Sequence, residues 1–182
     1  MSDPALPFER SYWVDPGRLL AGIWPGDPDP RESARRLGRL LDCDIRTLID
    51  LTECGELELR SGRFRTYAPE LERLAAARGL QTTCLRFEIA DSEAPGIEGL
   101  DRVLAAIEES LGAGRPSYLH CWGGRGRTGL VAGAYLIARG RATAESFVSE
   151  LARLRQHIPT PGDSPQTPEQ CAFVRRWAAQ RQ

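Results

Sequence analysis

The sequence predicts a single α/β domain on a central sheet, mixed but mostly parallel, of four to five strands flanked by helices. Three observations carry this expectation. Short apolar runs of strand character alternate with segments of helical spacing, an order that lays helices on the faces of a sheet. The chain has 182 residues, 41% of them apolar, enough for one core and short for two. Neither an internal repeat nor a flexible linker divides it.

Residues 1–17 are polar and proline-punctuated and read as an N-terminal arm, with one domain from 18 to 182. Arg18–Trp24 (RLLAGIW) reads as a short strand stopped by the turn signal PGDPDP at 25–30. Arg31–Leu41 spaces Ala34, Leu37 and Leu41 for a helix, and Asp44–Leu51 (DIRTLIDL) is the clearest strand. Pro69–Arg78 is a helix closed by Gly79 as its C′ residue. Thr82–Ile89 alternates as a strand does and is followed by the loop ADSEAPG at 90–96. Ile97–Leu111 is amphipathic and helical, and Ser117–Cys121 is a short strand. Thr128–Arg139 is apolar on all sides, which fits a central helix. Ala144–Leu154 and Pro168–Ala179 are two more helices, separated by HIPTPGDSPQT.

Composition excludes several chemistries. The net charge of −1 gives no global field toward nucleic acid or anionic membranes, so any anion site must be local. There is no lysine, and all 24 cations are arginine. Schiff-base chemistry and a Walker-type phosphate lysine are thereby excluded, while arginine is the better two-pronged ligand for phosphate. The five cysteines form no CxxC pair, and their odd number argues against a disulfide framework. With only two distant histidines, neither a zinc site nor any other metal is expected. The N-terminus lacks the regions of a signal peptide, and no apolar run approaches the ~20 residues of a membrane helix. The expectation is a monomer in a reducing cytoplasm, without nucleic-acid partner or membrane segment.

One segment concentrates the chemistry: His120–Gly129, HCWGGRGRTG, between an apolar strand and an apolar helix. Gly123, Gly124 and Gly126 let successive backbone N–H groups turn inward, and the following helix aims its positive end at the same point. Trp122, Gly123, Gly124, Arg125, Gly126 and Arg127 together make an anion cradle, in which Arg127 can clamp two phosphate oxygens. A thiol at Cys121 is then surrounded by positive potential that favours its thiolate form. Thr128 can donate a hydrogen bond to that sulfur.

The segment resembles the HCxxGxxR[ST]G signature of the cysteine-dependent protein tyrosine and dual-specificity phosphatases, matching it at His120, Cys121, Gly124, Arg127, Thr128 and Gly129. The resemblance implies a phosphatase catalytic domain of dual-specificity-phosphatase-like fold that needs no cofactor. Cys121 would attack phosphorus, and Arg127 and the loop amides would hold the equatorial oxygens. The family's general acid is an aspartate on a mobile loop before the cysteine. Asp91, thirty positions earlier, fits and is the expected acid, with Glu88 and Glu93 as substitutes; a turn or N-cap role before the helix at 97 is the alternative. Gln166–Gln170 (QTPEQ) resembles the family's QTxxQ stretch, which makes Gln166 a candidate for positioning the hydrolytic water and Gln170 its support. A polar helix start with Pro168 in its first turn is the alternative.

His120 would brace the loop backbone rather than react. His157 has no identifiable partner, and a surface or packing role is expected. Some relatives protect the nucleophile as a disulfide. Cys54, after the IDLTE strand end, is a possible redox partner of that kind or simply a free structural cysteine. Cys43, Cys84 and Cys171 read as ordinary buried thiols.

The chain lacks a KNRY-type phosphotyrosine loop, so the dual-specificity group fits best, implying a phosphorylated protein or peptide substrate. Phosphotyrosine, and with it phosphoserine or phosphothreonine, is the expected target. Arg125 also resembles a basic position of the phosphoinositide-cleaving branch, CKAGKGRTG, although Trp122 replaces that branch's other lysine. An inositol phosphate or phosphoinositide substrate is therefore the alternative, and a phosphate-binding pseudophosphatase a third.

Overall fold

The computed structural model describes residues 4–56, 66–159 and 161–181. Five strands form one sheet: β1 (Ser11–Asp15), β2 (Leu19–Gly22), β3 (Thr47–Asp50), β4 (Thr83–Arg86) and β5 (Ser117–His120). Their order is β1-β2-β5-β3-β4. β1 runs antiparallel to β2, and every other pairing is parallel. The mixed, mostly parallel sheet of the sequence reading is therefore present with five strands.

Six helices lie among the described residues: α1 (Pro30–Asp42), α2 (Ala68–Ala76), α3 (Ile97–Gly112), α4 (Gly126–Ala138), α5 (Phe147–Leu154) and α6 (Pro168–Ala179). One face of the sheet packs on α1 and α2 through Leu20, Leu37, Leu40, Leu48, Leu71 and Tyr118. The other packs on α3 to α6 through Leu119, Leu130, Ile107, Phe147 and Trp177. Eleven of the thirteen residues of α4 are buried, as its unbroken apolar run requires. Burying each large apolar side chain in such a layer contributes roughly 1.5–3 kcal/mol.

Two helix termini follow directly from local chemistry. Asp29 caps α1 by accepting from the Arg31 N–H, with Pro30 in the first turn. Thr167 and Gln170 form a reciprocal capping box at the start of α6. Beyond α2, Gly79 takes the left-handed conformation (φ +68°), and the Leu80 N–H reaches back to the Ala75 oxygen at 2.9 Å. That is the Schellman closure expected of a glycine there.

Three expectations change. SYWVD at 11–15 is not part of an arm but the edge strand β1; residues 1–3 of that arm lie outside the described residues. It escaped notice because Tyr12, Trp13 and Val14 are buried on both sides rather than alternating. The strand expected over 82–89 has a regular ladder only to Arg86, although Phe87 and Ile89 still donate to the Asp50 and Leu51 oxygens. Because β4 is an edge, Cys84 is exposed, and Cys43 and Cys171 are only half-buried, so none is a core thiol.

The parallel order places the C-terminal ends of β3 and β5 side by side in register, Asp50 opposite His120. The loops that leave these two ends build the site.

Candidate active site

β5 ends at His120, and Cys121 follows with 3% of its surface exposed. The chain then turns through Trp122–Arg125 into α4, which begins at Gly126, two residues before the start expected from sequence. Gly124 has φ +67°, and a Cβ there would lie 2.6 Å from the Gly22 carbonyl carbon. Only glycine permits both that conformation and that approach of loop to β2. Across the same contact the Trp24 N–H donates to the Trp122 oxygen at 3.0 Å. Among the described residues no side chain caps the start of α4, so its first N–H groups and its positive end face the turn beside Cys121.

Arg127 and Thr128 stand in the first turn of α4 and are buried, at 1% and 0% exposure. Arg127 is held from several sides. Its Nη1 and Nη2 donate to Glu56 Oε2 (2.6 Å) and Oε1 (2.8 Å), and Nη1 also donates to the Ile89 oxygen (3.0 Å). Asp91 Oδ1 lies 3.1 Å from Nη2. Burial opposes the cation, but Glu56, Cys121 and Asp91 outweigh it and push the guanidinium above its ordinary value, so it is permanently charged. Among the described residues its Nε is buried without a partner, as is Thr128 Oγ1. A buried donor without a partner costs about 1–3 kcal/mol. An anion in the loop would remove that cost through the Nε–Nη2 edge, the geometry of a two-pronged oxyanion contact.

His120 is fully buried at the end of β5, its ring against those of Trp24, Tyr67 and Tyr118. Its Nδ1 lies 3.2 Å from the Cys121 carbonyl oxygen, which can only accept, so Nδ1 carries the hydrogen. Burial, opposed by Asp50, lowers its pKa, and the ring is neutral. Nε2 therefore accepts from the Tyr67 hydroxyl at 2.8 Å. Asp50 accepts from the Thr52 amide and hydroxyl through Oδ1 and from Arg86 through Oδ2 (3.0 Å). This network ties the ends of β3, β4 and β5 together beside Cys121.

Among the three carboxylates weighed as acids, only Asp91 contacts Arg127 among the described residues; its side chain is 55% exposed, at the mouth of the site. Glu88 accepts instead from the Cys54 amide at 3.2 Å, and Glu93 contributes its backbone oxygen to Gln170 Nε2 at 2.9 Å. Gln170 is wholly buried, and its Oε1 also accepts from the Gln166 and Thr167 amides. It thus couples the Asp91 loop to the start of α6. Gln166 is exposed beside Gly126. Cys54 is exposed, and all five cysteines are free. His157, expected to lack a partner, contacts the Ser11 oxygen through Nε2 at 2.8 Å and ties the segment after α5 to β1. No group of three or more His, Cys, Asp or Glu residues that could hold a metal ion occurs among the described residues. None of their helices is long and apolar enough to cross a membrane.

Sequence reasoning missed Glu56. Glu53 and Glu56 lie three apart in the same short stretch, and nothing local distinguishes which turns back toward α4. Tyr67 was equally invisible, since its partner His120 is 53 residues away.

Comparison with known proteins agrees with this geometry. The family described as "Tc-R-P: Polymorphic toxin system, DSP-PTPase phosphatase" matches residues 28–141. Tk-PTP in its active form is 25% identical with a TM-score of 0.71, covering 93% of this chain and 97% of its own. PTPMT1 in complex with PI(5)P is 23% identical with a TM-score of 0.68, covering 93% and 95%. TpbA of P. aeruginosa in complex with pTyr is 16% identical with a TM-score of 0.61, covering 95% and 87%.

Proposed function

Because the chain belongs to the DSP-PTPase phosphatase family of polymorphic toxin systems, we propose that it hydrolyses phosphotyrosine in proteins, and phosphoserine or phosphothreonine besides, through a cysteinyl phosphate on Cys121. One observation carries this reading. A cysteine at the end of the central strand stands before a helix start that, among the described residues, no side chain caps, and six residues later Arg127 is fixed by Glu56 with its Nε unpartnered among those residues.

The phosphoryl group docks against the loop amides and the Nε–Nη2 edge of Arg127. Asp91, released from Nη2 by the incoming anion, turns its carboxyl to the leaving group. The Cys121 thiolate attacks phosphorus in line, the S–P bond forms as the P–O ester bond breaks, and Asp91 gives its proton to the departing oxygen. Water positioned by Gln166 then attacks phosphorus while Asp91 takes its proton. Cys121 leaves as thiolate, accepting a hydrogen bond from Thr128, and phosphate is released. The nucleophile, the acid and base, and the cation that holds the phosphoryl oxygens are all side chains of this chain, so the reaction calls for no cofactor.

An inositol phosphate or phosphoinositide substrate is the second reading. It is favoured by Arg125 in the loop and by the likeness to PTPMT1, a structure solved with PI(5)P.

Cys121→Ser separates an enzyme from a phosphate-binding pseudophosphatase. Turnover of p-nitrophenyl phosphate should vanish while phosphate binding persists, because a serine hydroxyl does not ionise in this loop. Hydrolysis by the serine variant above background removes the thiol from the mechanism. Absence of turnover by the parent chain removes the enzyme.

A further inference from the structure

Asp91, the proposed acid, stands in a tight turn whose two flanks are held by buried side chains from elsewhere in the chain. The Glu93 N–H donates to the Ala90 oxygen at 3.0 Å and closes the turn around Asp91 and Ser92. Upstream, the Ile89 oxygen accepts from Arg127 Nη1 at 3.0 Å. Downstream, the Glu93 oxygen accepts from Gln170 Nε2 at 2.9 Å. Asp91 is therefore carried between two fixed carbonyls.

The turn does not hold itself. Ser92 has φ +67°, and with Asp44 it is one of two non-glycine residues of positive φ among the described residues. At the third position of a four-residue turn, glycine takes that conformation without strain and a residue with a Cβ does not. Serine at this point leaves the turn to be stabilised from outside.

Gln170 is placed to do so. It is wholly buried at the start of α6. Its Oε1 accepts from the Gln166 and Thr167 amides at 3.0 and 3.3 Å, which fixes the oxygen end of the side chain and turns Nε2 to Glu93. The amide lies against Gly126 in the first turn of α4, where a Cβ would come within 3.1 Å of both Nε2 and Oε1. One side chain thus touches the catalytic loop, the Gln166 amide and the acid turn. A buried carbonyl that loses such a donor is left unsatisfied, so the bond resists opening.

We infer that Gln170 is a positioning residue for the general acid: by holding the Glu93 carbonyl it keeps the strained turn formed and Asp91 at the mouth of the site. The inference rests on the proposed phosphatase reading. It moves Gln170 from the hydrolytic step, which its resemblance implies, to the first step, in which the leaving oxygen takes its proton.

Two variants test it. Gln170→Glu keeps an oxygen for the Gln166 and Thr167 amides and loses the donor to Glu93. Gln170→Met is similar in length and loses the donor without burying a charge, so it serves if the first fails to fold. The substrates are a phosphotyrosine peptide and aryl phosphates of graded leaving-group acidity. For the peptide, kcat/KM should fall roughly 10–100-fold, and the loss should shrink as the leaving group becomes more acidic. Ser92→Gly added to either variant should recover roughly fivefold on the peptide, because the turn then forms without strain. A burst of product before a slow steady state, with kcat/KM intact, returns Gln170 to the water step and overturns the inference. So does an equal loss for every leaving group, which reduces Gln170 to a support of α6.

Hydrogen exchange separates this inference from the reading beneath it. The Glu93 amide should exchange roughly tenfold faster in Gln170→Met than in the parent, whether or not the chain turns over substrate. A parent without turnover overturns the phosphatase reading, and faster exchange in the variant still keeps the hold on the turn. Unchanged exchange in an active enzyme overturns that hold and leaves the phosphatase.

Discussion

Replacing Glu56 by glutamine keeps the side chain's shape and removes the charge that holds Arg127. The pair is buried, with Arg127 at 1% and Glu56 at 8% side-chain exposure, and both Nη atoms are engaged at 2.6 and 2.8 Å. In the variant one amide oxygen still accepts from one Nη, but the amide NH₂ faces the other, donor against donor. Removing one partner of a buried pair costs about 3–5 kcal/mol. The surviving hydrogen bond, the Ile89 oxygen and Asp91 reduce this to about 2–3 kcal/mol. For a chain of this length that is a Tm lower by roughly 4–12 °C. Arg127 also becomes a less compensated cation, so inorganic phosphate should raise the Tm of the variant more than that of the parent. Without its clamp the guanidinium is less well aimed, and kcat/KM for p-nitrophenyl phosphate should fall roughly 10–100-fold. Scanning calorimetry with and without phosphate, beside steady-state kinetics, reads all three effects. A Tm within a degree of the parent's together with unchanged kcat/KM refutes the positioning role. A smaller phosphate shift in the variant refutes the charge argument.

Asp91→Asn should slow phosphotyrosine peptides by roughly 10²–10⁴-fold and flatten the alkaline limb of the pH–rate profile, with far smaller losses for esters whose leaving group departs unprotonated. Equal losses across leaving groups would transfer the role to Glu88 or Glu93. His120 is buried and neutral, and its pKa is lowered by folding. The unfolded chain binds the proton first, so this contribution to stability is complete above about pH 6.5 and declines as the pH falls toward the folded value. Urea midpoints measured from neutral to mildly acidic pH should fall more steeply for the parent than for His120→Asn, and parallel curves would contradict a neutral buried ring. If Cys54 traps oxidised Cys121, Cys54→Ser should make peroxide inactivation harder to reverse with thiol reductant. Unchanged recovery leaves Cys54 as a structural thiol.

Much of this protein is local, and local features are legible in sequence. The run of β5, the glycines, and Arg127 and Thr128 at the start of α4 lie together between Ser117 and Thr128, so strand, turn and helix dipole could be read together around Cys121. Pro168 at the start of α6 and Gly79 after α2 fixed helix ends for the same reason: caps depend on neighbours in sequence. What depends on contacts across the chain stayed hidden. β1 is buried through its pairing with β2 and so shows no alternation to read. Glu56 and Arg127 are 71 residues apart, and Arg10 and Gly123 are 113 apart. Gln170, whose supporting role followed only from a resemblance, reaches Glu93 across 77 residues to couple α6 to the Asp91 loop. Periodicity and capping reflect interactions within a few residues. The balance of charge around an anion site is set by which distant side chains the sheet order brings to the ends of β3 and β5, and the tertiary structure alone decided that.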